Sequence, residues 1–80
     1  MKVRVLVRLK QGVLDVQGKA IEHGLRDLGI NALTDVKVGK LIEFEVQGKT
    51  GSEAQKTVDE VCKSLLANTV IEQYEIQEIK

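Results

Sequence analysis

Residues 33 to 46, Leu-Thr-Asp-Val-Lys-Val-Gly-Lys-Leu-Ile-Glu-Phe-Glu-Val, constrain the fold more than any other stretch. Thr34 to Val38 and Leu41 to Val46 read as two strands, and the close spacing around Gly39 and Lys40 admits only a tight antiparallel connection or a bulge. A strand hairpin is therefore expected in the middle of the chain. A second signal precedes it: Val3, Val5, Val7 and Leu9 alternate with Lys2, Arg4, Leu6, Arg8 and Lys10, the period-2 pattern of a strand with one buried face. The last strand is predicted from about Ile71 to Ile79, with Tyr74 and Ile76 on one face and Glu75 and Gln77 on the other.

Between these runs the period changes. From Asp15 to Leu28, the residues Leu14, Gln17, Ile21, Gly24, Leu25 and Leu28 fall within one helical stripe, while Lys19, Glu22, His23 and Arg26 lie opposite. Gly29 is placed to end that helix. Gly48 to Gly51 reads as a loop. Ser52 with Gln55 three residues later fits a capping box, and Ala54, Val58, Val61, Cys62 and Leu65 then share one helical face through about Leu66, with Asn68 at the exit.

The order strand, helix, strand, strand, helix, strand predicts an α+β, ferredoxin-like βαββαβ domain spanning 1–80: a four-stranded antiparallel sheet with two helices on one face. Its sheet order, 4-1-3-2, sets the first strand between the third and fourth. Charge agrees with that placement. Arg4 and Arg8 point outward between Glu43 and Glu45 on one side and Glu75 on the other, and such cross-strand pairs contribute about 0.2–1 kcal/mol each. The uncovered face also carries Leu6 and Leu41 on adjacent central strands, which favours a covering partner.

What the chain does is narrowed by what it lacks. One His, one Cys, one Tyr, one Phe and no Trp leave little for a nucleophile, a metal site or an aromatic cage. Twelve Lys and Arg balance twelve Asp and Glu, which argues against nucleic acid or an anionic membrane as the main partner and for protein. Charges interrupt the N-terminal apolar run, so it is no signal peptide or membrane span, and a single Cys suits a reducing compartment; a cytoplasmic location is expected. A chain this short buries only about 60–65% of its unfolded surface, so burial through self-association is expected too.

Individual motifs carry little chemistry. Gly48-Lys49-Thr50 ends like a phosphate loop, but Glu43 stands where the earlier Gly is required. Gln11-Gly12-Val13 resembles part of the acylphosphatase loop, with Val16 in place of the phosphate-holding Arg. His23 lies opposite the apolar stripe and reads as a surface residue. Cys62 reads as a small buried hydrophobe. Gly24 costs its helix about 1 kcal/mol relative to Ala, which suggests close packing against a neighbouring backbone. An RNA-recognition domain shares the topology but needs stacking aromatics, and Phe44 points to the core.

Four stretches carry a family resemblance: Gly12-Val13-Leu14-Asp15 with Gln17-Gly18; Asp35-Val36-Lys37-Val38-Gly39-Lys40; Val61-Cys62-Lys63-Ser64-Leu65-Leu66-Ala67-Asn68; and Thr69-Val70-Ile71-Glu72-Gln73-Tyr74-Glu75-Ile76. With them the chain resembles the PurS family, the small subunit of phosphoribosylformylglycinamidine (FGAM) synthase. Val16 departs from the family, which usually has Pro there to pre-set the first helical turn.

The resemblance implies a non-catalytic subunit of a purine-biosynthetic glutamine amidotransferase of the ligase class. Such a subunit joins a PurQ-type glutaminase to a PurL-type synthetase, supports ammonia transfer and forms a dimer or tetramer. It implies no catalytic, metal or cofactor residue in this chain, ATP and Mg being used by the synthetase. The expected interface is the open sheet face and the segment before it: Arg4, Leu6, Arg8, Val38, Gly39, Lys40, Leu41, Glu43 and Glu45. An alternative is an oligomeric small-molecule-sensing βαββαβ domain, with Gly12, Gly39 and Asn31 lining its site.

Overall fold

In the computed structural model, which describes residues 1–48 and 51–79, the alternating N-terminal run forms the middle of the sheet. β1 (Lys2–Leu9) lies between β2 (Lys40–Glu45) and β3 (Glu72–Ile79), antiparallel to both. Val3, Val5 and Val7 are buried, and their register partners Ile42 and Phe44 on β2 and Tyr74 and Ile76 on β3 pack on the same face. The period-2 pattern thus becomes one apolar face, and Phe44 turns inward as its alternation with Glu43 and Glu45 requires.

That face is covered by α2 (Gly51–Val61) and the π-turn that continues it, Cys62–Leu66. Ala54, Val58 and Cys62 recur every fourth residue and are all buried. The amide of Ala67 then bonds to the carbonyl of Cys62, five residues back, so the helix widens by one residue. Ala67 and Leu66 reach the core in consequence, and Leu65, expected on the buried stripe, is turned out to 78% exposure. The helix already begins at Gly51, which puts Ser52 inside its first turn rather than at the cap. Lys49 and Thr50 lie outside the described residues, so the Gly48-Lys49-Thr50 comparison is described only at Gly48.

The hairpin is where sequence and structure part. Thr34 to Val38 makes no strand; the chain there is irregular, with Asp35 at a positive φ of 56°, and the sheet has three strands among the described residues. The reason is a competition for its amides. The amides of Val36 and Val38 donate to the carboxylates of Glu22 and Asp15, at 2.9 and 2.8 Å, so side chains take the donors a ladder would have used. The order β2-β1-β3 still keeps the expected third, first and fourth positions.

α1 (Val16–Asp27) does not pack on the sheet as expected. No residue of α1 joins the core cluster, and its only buried residues are Gly18 and Glu22. The molecule is accordingly long and thin, 51 × 28 × 14 Å, with a radius of gyration of 16.2 Å. A compact 80-residue domain has a radius near about 12 Å.

Candidate interaction surface

α1 is organised by its polar face. Asp15 is its N-cap: one carboxylate oxygen accepts from the Gly18 amide at 2.7 Å, and the other accepts from Val38 across the loop. Glu22, two turns on, holds Val36 and is flanked by Lys19 and Arg26 at 3.7 and 3.6 Å. The Gly18 and Val38 amides keep the Asp15 carboxyl below its ordinary titration range, and the Val36 amide does the same for Glu22. Two carboxylates therefore clamp the 36–38 segment against the helix. Gly18 makes the clamp possible, since a methyl there would collide with the Val36 carbonyl oxygen.

Clamping this face turns the apolar stripe outward. Leu14 is 69% exposed, Ile21 46% and Leu28 76%, and Ile30 and Leu33 in the following loop are exposed as well. Gly24, expected against a neighbouring backbone, faces open space. His23 is exposed, in keeping with a surface residue. Sequence periodicity found the stripe; it could not find that the opposite face, through Glu22, is the one turned inward.

The outer face of the sheet gathers most of the residues predicted to make contacts. Arg4 pairs with Glu43 across β1 and β2 at 3.6 Å, and its Nε is buried with no partner among the described residues. Leu6 lies opposite Leu41, which is 54% exposed, and Glu45 lies opposite Lys2. Arg8 is exposed opposite Gln73. Lys40 falls elsewhere: its partner is Val7, so it shares the inner-face parity, and its ammonium lies 3.8 Å from Glu72. Val38 is tied to Asp15, and Gly39 is required by close approach to Val7, whose carbonyl oxygen would lie 2.6 Å from an added methyl. Gly12 and Gly39 line one pocket; Asn31 does not.

The polar groups inside are structural. Cys62 is buried and free, and burial, followed by the Asp59 charge, raises its thiol pKa. Tyr74 donates its hydroxyl to Asp59, which holds the phenol up at about 12. Among the described residues no cluster of His, Cys, Asp and Glu could hold a metal ion, and no helix is long and apolar enough to cross a membrane.

Residues 2–80 match the family model PurS, phosphoribosylformylglycinamidine (FGAM) synthase. Among curated proteins, the chain is 44% identical over 80 residues to the phosphoribosylformylglycinamidine synthase subunit PurS of Bacillus subtilis, covering 98% of this chain and 94% of that one. It is 40% identical over 76 residues to the PurS subunit of Methanocaldococcus jannaschii, covering 95% and 92%. Solved structures agree: B. subtilis PurS superposes with a TM-score of 0.82 at 44% identity, over 96% of this chain and 98% of that one. A chain of PurLQS from Thermotoga maritima gives 0.86 at 32% identity, over 98% and 95%.

Proposed function

We propose that this chain, which belongs to the PurS family of phosphoribosylformylglycinamidine synthase subunits, acts in purine biosynthesis as the small subunit that bridges a PurL-type synthetase and a PurQ-type glutaminase. In this reading the chain is non-catalytic. ATP and Mg are used by the synthetase, ammonia from glutamine passes within the assembly, and the complex works in the cytoplasm. The carrying observation is the unpartnered apolar stripe of α1, standing clear of a thin, elongated protomer.

The surface area supports a second copy as the first partner. A compact chain of 8.9 kDa exposes about 4,800 Å², whereas this protomer exposes 6086 Å². The excess exceeds the roughly 800 Å² per partner of a standard interface. Self-association through Leu14, Ile21 and Leu28 leaves the outer sheet face, with Leu6, Leu41 and Glu43, for the large subunits. The three strands keep three positions of a ferredoxin-like sheet, and the free edge of β2 is where a fourth, from this chain or a second copy, extends it.

Co-purification with the host's synthetase and glutaminase, in glutamine, ADP and magnesium, tests the reading by size-exclusion with light scattering. A ternary complex is expected only when this chain is present. Ile21→Lys with Leu28→Glu is expected to give monomers, and Leu41→Lys to lose the large subunits while the chain stays self-associated. Two large subunits that associate equally well without this chain would overturn it.

A further inference from the structure

The pocket that joins Gly12 and Gly39 shares its floor, Leu6 and Leu41, with the sheet face proposed for the large subunits, and has a chemistry of its own. It encloses about 490 Å³ between the outer face of β1 and β2 and the loops at 10–15 and 35–39. That volume falls in the range of about 300–1,000 Å³ usual for small-molecule sites. Its floor is apolar, built from the cross-strand pair Leu6 and Leu41. Its rim is basic: Arg8, Lys10 and Lys37 stand against Asp15 and Asp35, while Lys40 beside them turns its ammonium to Glu72, which leaves a local excess of positive charge on a chain with no net charge.

The two carboxylates do little to cancel that excess. Asp15 has both oxygens bonded to amides, and Asp35 is engaged by Lys37 at 3.4 Å. Arg8 has no carboxylate partner among the described residues, and Lys10 gives one bond, to the Thr69 carbonyl at 2.6 Å. The Lys37–Asp35 pair is largely exposed, and such pairs yield readily to a stronger anion. A turn closed by the Val13 amide on the Lys10 carbonyl adds the amides of Gln11 and Gly12, which meet no acceptor among the described residues, Gly12 holding a positive φ of 85°.

We propose that this pocket binds a phosphomonoester of mononucleotide size, its phosphate held by Arg8, Lys10 and the Gln11–Gly12 turn and its apolar body lying on Leu6 and Leu41. Arg8 supplies the planar fork that suits a phosphate, and the open turn lets backbone approach the oxygens. The Gln11-Gly12-Val13 run therefore carries a phosphate-facing role without the Arg that an acylphosphatase loop uses, because the cation comes from β1 instead.

Titration calorimetry and thermal melts of the purified full chain test this, with adenosine monophosphate as the probe and adenosine and inorganic phosphate as comparisons. The monophosphate is expected to bind saturably and more tightly than phosphate, adenosine not at all, and affinity is expected to fall with salt. Arg8→Ala and Lys10→Ala should each weaken binding by about tenfold or more, as loss of a charge-assisted bond does, with Arg8→Lys between. Equal responses to adenosine and its monophosphate, no saturable binding, or affinity unchanged in a folded Arg8→Ala variant would each overturn the proposal. A changed molar mass in Arg8→Ala with unchanged affinity would assign the pocket to contact between copies. Because the titration uses this chain alone, its failure leaves the bridging role standing.

Discussion

Two glycines on α1, Gly18 and Gly24, separate the forces that hold it. At Gly18 an added methyl would overlap the Val36 carbonyl oxygen and come within 2.9 Å of Asp15 Oδ2. Neither can retreat cheaply. Val36 is fixed by its bond to Glu22, and Asp15 by its bonds to Gly18 and Val38. Overpacking of this kind costs about 1–3 kcal/mol, against a helix-propensity gain of about 1 kcal/mol for replacing Gly by Ala. Gly18→Ala is therefore expected to destabilise by about 0–2 kcal/mol, each kcal/mol lowering the melting temperature by about 4–8 °C at this size. Gly24 has nothing within 4 Å, so in a protomer Gly24→Ala keeps the propensity gain alone and stabilises by up to about 1 kcal/mol. Urea and thermal melts of both variants, with molar mass followed in parallel, give the comparison. If Gly18→Ala matched Gly24→Ala in stability, the clamp between α1 and residues 36–38 would not exist as described. A loss of self-association in Gly24→Ala would instead show that a second copy lies against that face.

The clamp also sets an acid limit. Asp15 and Glu22 are held below their ordinary values of 3.8 and 4.5, so the unfolded chain takes up protons first. Their stabilisation is complete at neutral pH and is lost as pH falls below about 4.5 through the lowered values. Asp15→Asn with Glu22→Gln should be less stable at neutral pH and show a flatter fall in urea midpoint on acidification; an unchanged slope would refute the assignment. At the other extreme, the single tyrosine is expected to ionise near about 12, and Asp59→Asn should return it toward 10.0, by ultraviolet absorbance titration. A wild-type midpoint already at 10.0 would rule out the Tyr74–Asp59 bond.

Much of the sheet was legible in sequence because its cause is periodic. The alternation of Val3, Val5 and Val7 dictates a buried face, and the opposite signs of Arg4 and Glu43 agree with β2 lying beside β1. Cys62 and Val58 were legible for the same reason, at helical period. Thr34 to Val38 was not. Its residues carry the composition of a strand, but Asp15 and Glu22, 23 and 14 residues earlier than Val38 and Val36, capture its amides, and a window of local periodicity does not contain that competition. Leu65 was misplaced because a single π-turn advances the register by one residue, and nothing in the spacing of Val58, Val61 and Leu65 marks where the helix widens.

The same clamp explains why so apolar a helix can stand away from its own core. A free amphipathic helix would collapse onto whatever apolar surface is nearest, and here that is the sheet of its own chain. Two carboxylates on the polar face oppose this by fixing α1 to the 36–38 loop through backbone amides. The stripe of Leu14, Ile21 and Leu28 is thereby presented already ordered, and a partner that covers it loses less conformational entropy than one binding a mobile segment. With self-association through this stripe as proposed, folding and assembly are coupled through Asp15 and Glu22. Protonating them should loosen self-association in the same pH interval that lowers protomer stability, whereas an interface held by its apolar contacts alone would be insensitive to pH there.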